Sequence, residues 1–185
     1  MTTAPSYLWW KGLKIPPVFP KWGDIPYRSM RNAIEASWSS PDPSSKVGAL
    51  ITLPNLGGAT LTSHNIPVVP AAGGRMAEDR DYKYAVMEHA ETGVLLSAMT
   101  LFGERSVGAE MFAPWACCQD CARIIVAAQV SMLIVHGPAM SHTPEDWRSS
   151  LERGYATLAE ANIPIYCTTE PLNLTMTIRG QEVSV

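Results

Sequence analysis

The sequence predicts an α/β fold, a three-layer α/β/α sandwich around a central mixed sheet of about five strands. Three observations predict it. Strand-like and helix-like segments alternate from Val47 onward in the order β-β-α-β-α-β-α-β. The runs Met132–His136 and Ile163–Thr168 have the aliphatic character of buried strands, and the long helical segment between them demands a parallel crossover. Val47–Leu53 and Ala59–Ser63 flank the turn Pro54-Asn55-Leu56-Gly57-Gly58, which makes them an antiparallel hairpin. A length of 185 residues fits one domain. Within it, residues 1–26 form an N-terminal arm, 27–168 the core and 169–185 a C-terminal extension.

The arm holds five of the 15 prolines and three of the six tryptophans. Proline favours extended or turn-like backbone. Exposed indoles are costly, so the arm is expected to pack on its own domain or on a neighbouring subunit. From Tyr27 to Trp38, Met30, Ala33, Ile34 and Trp38 recur at helical spacing. Ser39–Ser45 is a turn broken by Pro41 and Pro43, and the hairpin follows. His64–Asp81, with Pro67, Pro70, Gly73 and Gly74, reads as an irregular loop. Tyr84–Met99 reads as a helix with Met87, Ala90, Val94 and Ala98 along one face. Glu110–Ala113 is a short strand. Cys118–Ala128 is a helix presenting Ala122, Ile125, Val126 and Gln129. Thr143-Pro144-Glu145-Asp146 looks like a helix start, with a hydroxyl cap, proline in the first turn and acids facing the dipole. Trp147, Leu151, Leu158 and Ala161 form the apolar face of that helix. Thr175–Ile178 is a last short strand.

Composition narrows the function classes. Lys plus Arg number 14 and Asp plus Glu 17, a net charge of −3, with no broad basic surface of the kind that tracks nucleic acid. The apolar set makes up 46% and charged residues 17%, which excludes a disordered chain. No apolar run is long enough for a membrane helix or a secretory signal, so a cytoplasmic enzyme is expected. Three of the four cysteines, Cys117, Cys118 and Cys121, fall within five residues. Such clustering in a reducing compartment points to metal or redox chemistry rather than a disulfide framework. Cys167 lies in an apolar run and reads as a buried thiol.

The chemistry centres on His89-Ala90-Glu91 and Cys118-Gln119-Asp120-Cys121. Imidazole and thiolates suit tetrahedral Zn²⁺. A helix N-terminus favours the thiolates that bind it. One histidine and two cysteines leave a fourth position open for water, the catalytic rather than the structural arrangement. Residues two apart on a helix point about 200° apart. His89 and Glu91 can therefore share a site only if His89 stands at the helix entrance. A redox Cys-x-x-Cys pair is the rival reading. The joint occurrence of the two motifs, each at a helix start, favours zinc.

These motifs resemble the signature of zinc nucleobase deaminases, a histidine-x-glutamate followed by Cys-x-x-Cys. Pro43-Ser44-Ser45-Lys46-Val47-Gly48-Ala49-Leu50-Ile51 resembles the deoxycytidylate deaminase segment DPSTKVGAVIV. Ser63-His64-Asn65 stands where that family has its GYNG turn. Tyr82-Lys83-Tyr84 resembles the approach to HAE, and Cys118–Ile125 resembles PCxxCAxxII. The resemblance to the deoxycytidylate (dCMP) deaminase family, of the cytidine-deaminase-like superfamily, spans about residues 30–168. It implies Zn²⁺ on His89, Cys118 and Cys121, with Glu91 as the catalytic proton shuttle. An activated water would attack C4 of cytosine to give uracil and ammonia. Asn65 would contact the deoxyribose and the Ala90 backbone the base amino group. Ser45 and Lys46 would face the 5′-phosphate, although Lys46 reads equally as a solvated charge. The substrate would be dCMP or a C5-substituted analogue, and the assembly a homo-oligomer, a hexamer or smaller, with no stable nucleic-acid partner and no membrane.

Three positions depart from the family pattern. Cys117 replaces the proline before Cys-x-x-Cys and reads as a packing residue. Gly93 replaces the asparagine of HAExN. Ile66-Pro67-Val68-Val69-Pro70 replaces a Gly-rich continuation. Rival functions are deamination of a base in RNA, or of another free nucleoside or nucleotide, and an inactive zinc-stabilised binding protein. Among the remaining residues, His64 is a second sugar candidate, His136 is structural and His142 solvated. Arg75, Arg80 and Lys83 are loop charges that double as phosphate candidates.

Overall fold

Alternation along the strands builds the fold. The computed structural model describes residues 22–69, 73–115 and 117–185, together with the backbone of 8–10 and 13–15. Strand β1 (Leu8–Trp10) pairs antiparallel with β2 (Leu13–Ile15). Helix α1 (Ile25–Ser37) follows, then the hairpin of β3 (Gly48–Leu53) and β4 (Ala59–His64). Strand β5 (Ile66–Pro67), helix α2 (Gly73–Glu78), helix α3 (Arg80–Val86) and strand β6 (Met87–Glu88) lead to helix α4 (Ala90–Phe102). Then come β7 (Glu110–Phe112), α5 (Gln119–Ala127), β8 (Met132–His136) and the short α6 (Gly137–Ser141). Helix α7 (Arg148–Glu160), β9 (Ile165–Thr168) and the hairpin of β10 (Thr175–Ile178) and β11 (Gln181–Ser184) complete the order.

The central sheet has five strands in the order β4-β3-β7-β8-β9. β3 is antiparallel to β4 and β7, whereas β7, β8 and β9 run parallel, so the sheet is mixed as expected. Successive side chains point to opposite faces. Leu50, Phe112 and Ile134 meet Met30, Ala33 and Ile34 of α1 in one apolar layer. Ala49, Ile51, Met111, Leu133 and Val135 meet α4, α5 and α7 in the other, through Val94, Ala98, Ile125, Leu151 and Leu158. Gly48 lets β3 pass against the α1 backbone at Ala33, where a Cβ would collide. The C-terminal hairpin joins the α1 layer through Met176 and Ile178.

Four expectations need correction. His64–Asp81 is not an irregular loop: it contains β5 and α2, and α3 starts at Arg80. The Asp79 side chain caps α3 by accepting from Tyr82 N (2.9 Å), a signal that the Gly/Pro count masked. The helix expected over 84–99 is two helices. Ile66 pairs with Glu88 and Pro67 with Met87, and this antiparallel bridge pulls the chain out of helical geometry just before His89. Thr143 caps nothing, because a 3₁₀ turn over Glu145–Trp147 precedes α7, and Ala161 is exposed. The packing expected for the arm falls largely outside the described residues. Within them, the Trp22 ring meets Tyr166 edge-on at 5.2 Å between centroids.

His136 is structural, as expected. It is fully buried at the end of β8, and its Nδ1 lies 2.9 Å from Thr168 Oγ1. The Thr168 hydroxyl donates to Val135 O (3.3 Å), so its oxygen accepts from Nδ1–H and leaves Nε2 as the bare nitrogen. Nε2 has no hydrogen-bond partner among the described residues. Burial pushes the imidazole down to about 4. An unfolded His136 takes up a proton near pH 6.5, and the folded chain refuses it until much lower pH. Its contribution is therefore neutral above about pH 6.5 and turns destabilising as the pH falls, by at most about 3 kcal/mol. Denaturant unfolding at pH 7 and pH 5 should show His136→Gln losing less stability on acidification than the parent chain. An equal loss would remove His136 from the acid sensitivity.

Candidate active site

Two helix N-termini face each other on one side of the sheet. His89 is the N-cap of α4 and Cys118 the N-cap of α5. Because the β5–β6 bridge ends at Glu88, His89 keeps extended backbone, φ −77° and ψ 150°, and stands at the helix entrance that the motif requires. Its Nδ1 lies 3.4 Å from Cys118 Sγ and 3.3 Å from Cys121 Sγ. The three ligand atoms all lie within 4.8 Å of one another.

The donor set fits zinc. Tetrahedral coordination with Zn–N near 2.0–2.1 Å and Zn–S near 2.3 Å puts nitrogen and sulfur roughly 3.6 Å apart. The imidazole nitrogen lies close to that spacing from both sulfurs. The electrostatics agree. The Cys121 thiol donates to Cys118 Sγ, which outweighs burial and, with the His89 imidazolium, takes Cys118 down to about 4. Burial opposes charge on His89, yet the Cys118 contact and the Glu91 and Glu88 carboxylates raise it to about 9. Cys121, sharing its proton with Cys118 and buried, is pushed up. The cluster therefore already holds one thiolate, and a bound cation replaces the protons on the other donors.

Glu91 is buried in the first turn of α4. Burial pushes its carboxyl up, against the pull of His89. Cys117 is buried, and burial raises its thiol well above the ordinary range. It stays outside the three-atom cluster, as a packing residue should.

A cavity of about 460 Å³ opens over these groups. His89, Ala90, Glu91, Cys118 and Asn65 line it, and so does Ser45. Lys46 does not; it is half-buried, and its backbone N–H donates to Thr177 O (2.9 Å). His64 is also off the wall. Asn65 is buried and occupied: Nδ2 donates to Asp42 Oδ2 (3.0 Å) and Ser45 O (2.9 Å), and Oδ1 accepts from Val47 N (2.8 Å). Both donors are spent on the protein, so only the second lone pair of Oδ1 is left for a ligand hydroxyl.

Several wall residues escaped the sequence reading or have another role in it, and Arg80 and Lys83 stand in it as loop charges and phosphate candidates. Asp42 Oδ1 accepts from Ser44 N (2.7 Å) and Ser45 N (3.0 Å) and pairs with Lys83 Nζ at 2.8 Å. Both partners are buried, so Lys83 is a structural ion rather than an exposed loop charge. Trp115 and Trp147 supply aromatic walls, the Trp147 ring 5.8 Å from that of His89. Thr143 lies on the wall with a buried hydroxyl that has no partner among the described residues. Arg80 and Arg179 complete the rim. Tryptophans at the ends of the β7 and β8 connections were the available signal, because ligands in α/β folds bind beyond the carboxyl ends of parallel strands.

Residues 26–137 match the family described as the cytidine and deoxycytidylate deaminase zinc-binding region. The chain belongs to this family. The match takes in His89, Glu91, Cys118 and Cys121 and supports Zn²⁺ as the metal of the site. No curated protein matches the sequence. Among solved structures, similar folds include dCMP deaminase from the cyanophage S-TIM5. Its apo form is 18% identical, with 79% of this chain and 98% of that chain covered and a TM-score of 0.55. Its complex with dCMP and dUMP gives 16% identity, the same coverages and a TM-score of 0.56. RibD of Acinetobacter baumannii is 21% identical with a TM-score of 0.53; 77% of this chain aligns, spanning 34% of RibD. These likenesses establish the cytidine-deaminase-like fold.

The departure at Gly93 has a local cause, and Gly154 meets a closer neighbour still. A Cβ at Gly93 would lie 2.9 Å from Ser63 Oγ, so glycine and Ser63 fill the position together. A Cβ at Gly154 of α7 would lie 2.7 Å from Cys117 O and 3.1 Å from the Cys118 carbonyl. Gly154 thus lets α7 lie against the backbone that delivers Cys118. Gly154→Ala should destabilise the fold by about 1–3 kcal/mol and weaken zinc retention against a chromophoric chelator. Gly93→Ala, which meets only a rotatable hydroxyl, should cost less on both readouts. Equal behaviour of the two variants would deny Gly154 this role.

Proposed function

We propose that the protein hydrolyses the exocyclic amino group of a free deoxycytidine nucleotide, dCMP, to give dUMP and ammonia. The observation that carries the reading is the cavity whose wall holds the Glu91 carboxyl, His89 and Cys118, with Cys121 completing the ligand cluster behind it and two arginines at the rim. His89, Cys118 and Cys121 would hold Zn²⁺, which would supply a water whose pKa falls to about 7. Glu91 takes a proton from the attacking water and delivers it to ring N3. It then carries the second proton to the departing amino group, so that the C4–O bond replaces the C4–N bond and ammonia leaves. Burial keeps the Glu91 carboxyl basic enough for both transfers. The Ala90 backbone at the first turn of α4 faces the base amino group, and Asn65 Oδ1 accepts from the sugar hydroxyl. Trp147 flanks the base.

A net charge of −3 and an enclosed cavity favour a small nucleotide over a polymer. Helix α4 exposes Leu96, Met99 and Leu101, apolar side chains available for contact between subunits of a homo-oligomer, a hexamer or smaller. No helix among the described residues is long and apolar enough to cross a membrane. The two thiols of the site, with Cys117 and Cys167 likewise not in disulfides, fit a cytoplasmic setting.

Zinc-loaded protein should deplete the ultraviolet absorbance of dCMP in preference to that of deoxycytidine, dCTP or cytidine in an RNA hairpin. Glu91→Gln should retain about one zinc per chain and lose turnover by at least about 10²-fold, the lower bound for a removed general acid–base. Turnover retained in Glu91→Gln would contradict the proton-transfer role. Preference for the RNA would replace the nucleotide reading.

A further inference from the structure

We infer that Arg179, carried by the C-terminal hairpin, and Arg80, at the start of α3, clamp the phosphate of the nucleotide, with Asp146 as the residue that positions both guanidiniums. The inference rests on the reading of the cavity as a nucleotide site and specifies how that site selects a phosphorylated substrate. Arg179 lies outside the region that matches the family, so the clamp is a property of this chain rather than of the shared zinc region.

The burial of the wall separates floor from mouth. His89, Glu91 and Cys118 are largely enclosed, whereas the side chains of Arg80 and Arg179 are 61% and 46% exposed. Asp146 bridges the two: Oδ2 accepts from Arg80 at 3.1 Å and Oδ1 from Arg179. Two guanidiniums held on one carboxylate leave one positive charge in this triad, and the exposed Glu78 is the other carboxylate at the mouth. Arg80 also donates to Tyr84 Oη from Nε (3.1 Å) and Nη2 (2.9 Å), which leaves both Nη1 hydrogens for a ligand. Arg179 commits one Nη2 hydrogen to Asp146, so its second Nη2 hydrogen keeps one two-donor edge, with either Nε–H or Nη1, of the kind that matches a phosphate. The one other lysine or arginine on the wall among the described residues, Lys83, is buried against Asp42.

The backbone gives a second, independent sign. Ile178 pairs with Gln181, so Arg179-Gly180 is a two-residue hairpin turn, and both residues have positive φ, 52° and 76°. Such turns favour Asn-Gly or Asp-Gly, because a side chain with a full Cβ stem is disfavoured in the left-handed region. An arginine kept there at a conformational cost is the pattern of a functional position. The turn is also docked. Arg179 N donates to Ser45 Oγ (3.0 Å), Gly180 N to Ser44 O (2.7 Å) and Lys46 N to Thr177 O (2.9 Å). The 44–46 segment that resembles the family's phosphate-facing turn is thereby fastened to the hairpin that presents Arg179.

Arg179→Asn is the informative variant, because asparagine suits the turn and removes the guanidinium. It should keep or raise thermal stability and lower the ratio of kcat/KM for dCMP over deoxycytidine by about 10–100-fold, the range for a lost charge-assisted hydrogen bond. Arg80→Gln should lower the same ratio. In calorimetry, Arg179→Asn should weaken dUMP relative to deoxyuridine and should weaken inorganic phosphate. An unchanged ratio with unchanged phosphate binding would overturn the clamp while leaving the deaminase reading intact. Phosphate binding that depends on Arg179 in a protein that turns over no cytosine compound would keep the clamp and overturn the deaminase reading.

Discussion

The structure depends on one convergence: three ligand atoms on two separate helices must meet within coordination distance of a single ion. His89 Nδ1 and the sulfurs of Cys118 and Cys121 achieve this because both elements begin at the same depth on one face of the sheet. Each first ligand is an N-cap, so its side chain projects ahead of the helix, where the unpaired N–H groups favour negative charge. The thiolate character of Cys118 follows from that placement and from its neighbours Cys121 and His89. The core supports the convergence. Val94 and Ala98 of α4 and Ile125 of α5 are clamped to the sheet by Ala49, Ile51, Met111 and Leu133, and the missing side chain at Gly154 lets α7 close behind Cys118.

The end of the cavity around Asn65 is built by different forces. Asp42 is a buried carboxylate that gathers two backbone N–H groups, the Asn65 amide and the Lys83 ammonium. Such a group is tolerable in the interior only when fully paired. Its partners come from the 44–45 turn, the segment after β4 and helix α3, so one ionic hub holds three otherwise separate stretches in register. The apolar zinc layer and this polar network are joined at Asn65, whose carbonyl oxygen is the one part of its side chain left to a ligand.

Much of this was legible in the sequence. Five sheet strands, the parallel crossover and the three ligands with Glu91 followed from periodicity, turn chemistry and spacing. Spacing also required His89 at a helix entrance, which the run Met87, Ala90, Val94 and Ala98 by itself contradicted. Periodicity registers side chains and is blind to a backbone bridge such as Ile66–Glu88, and that long-range pairing broke the helix. Proline and glycine between His64 and Asp81 concealed α2 for a related reason: their local preferences yielded to tertiary structure. The ligand-facing charges were hardest. Lys46 stood beside the motif and Arg179 stood 133 residues further on, and only folding decided which of them reached the cavity.

The central claim is that water replaces the amino group at C4 under control of the zinc site. Mass spectrometry of the product formed from dCMP in ¹⁸O-labelled water tests it most directly, with and without prior removal of metal by chelator. The account predicts dUMP carrying one ¹⁸O atom, one ammonia released per dUMP, no product from the stripped protein and recovery on adding zinc. Unchanged dCMP in the presence of stoichiometric zinc, or dUMP lacking the label in a zinc-independent reaction, would contradict it.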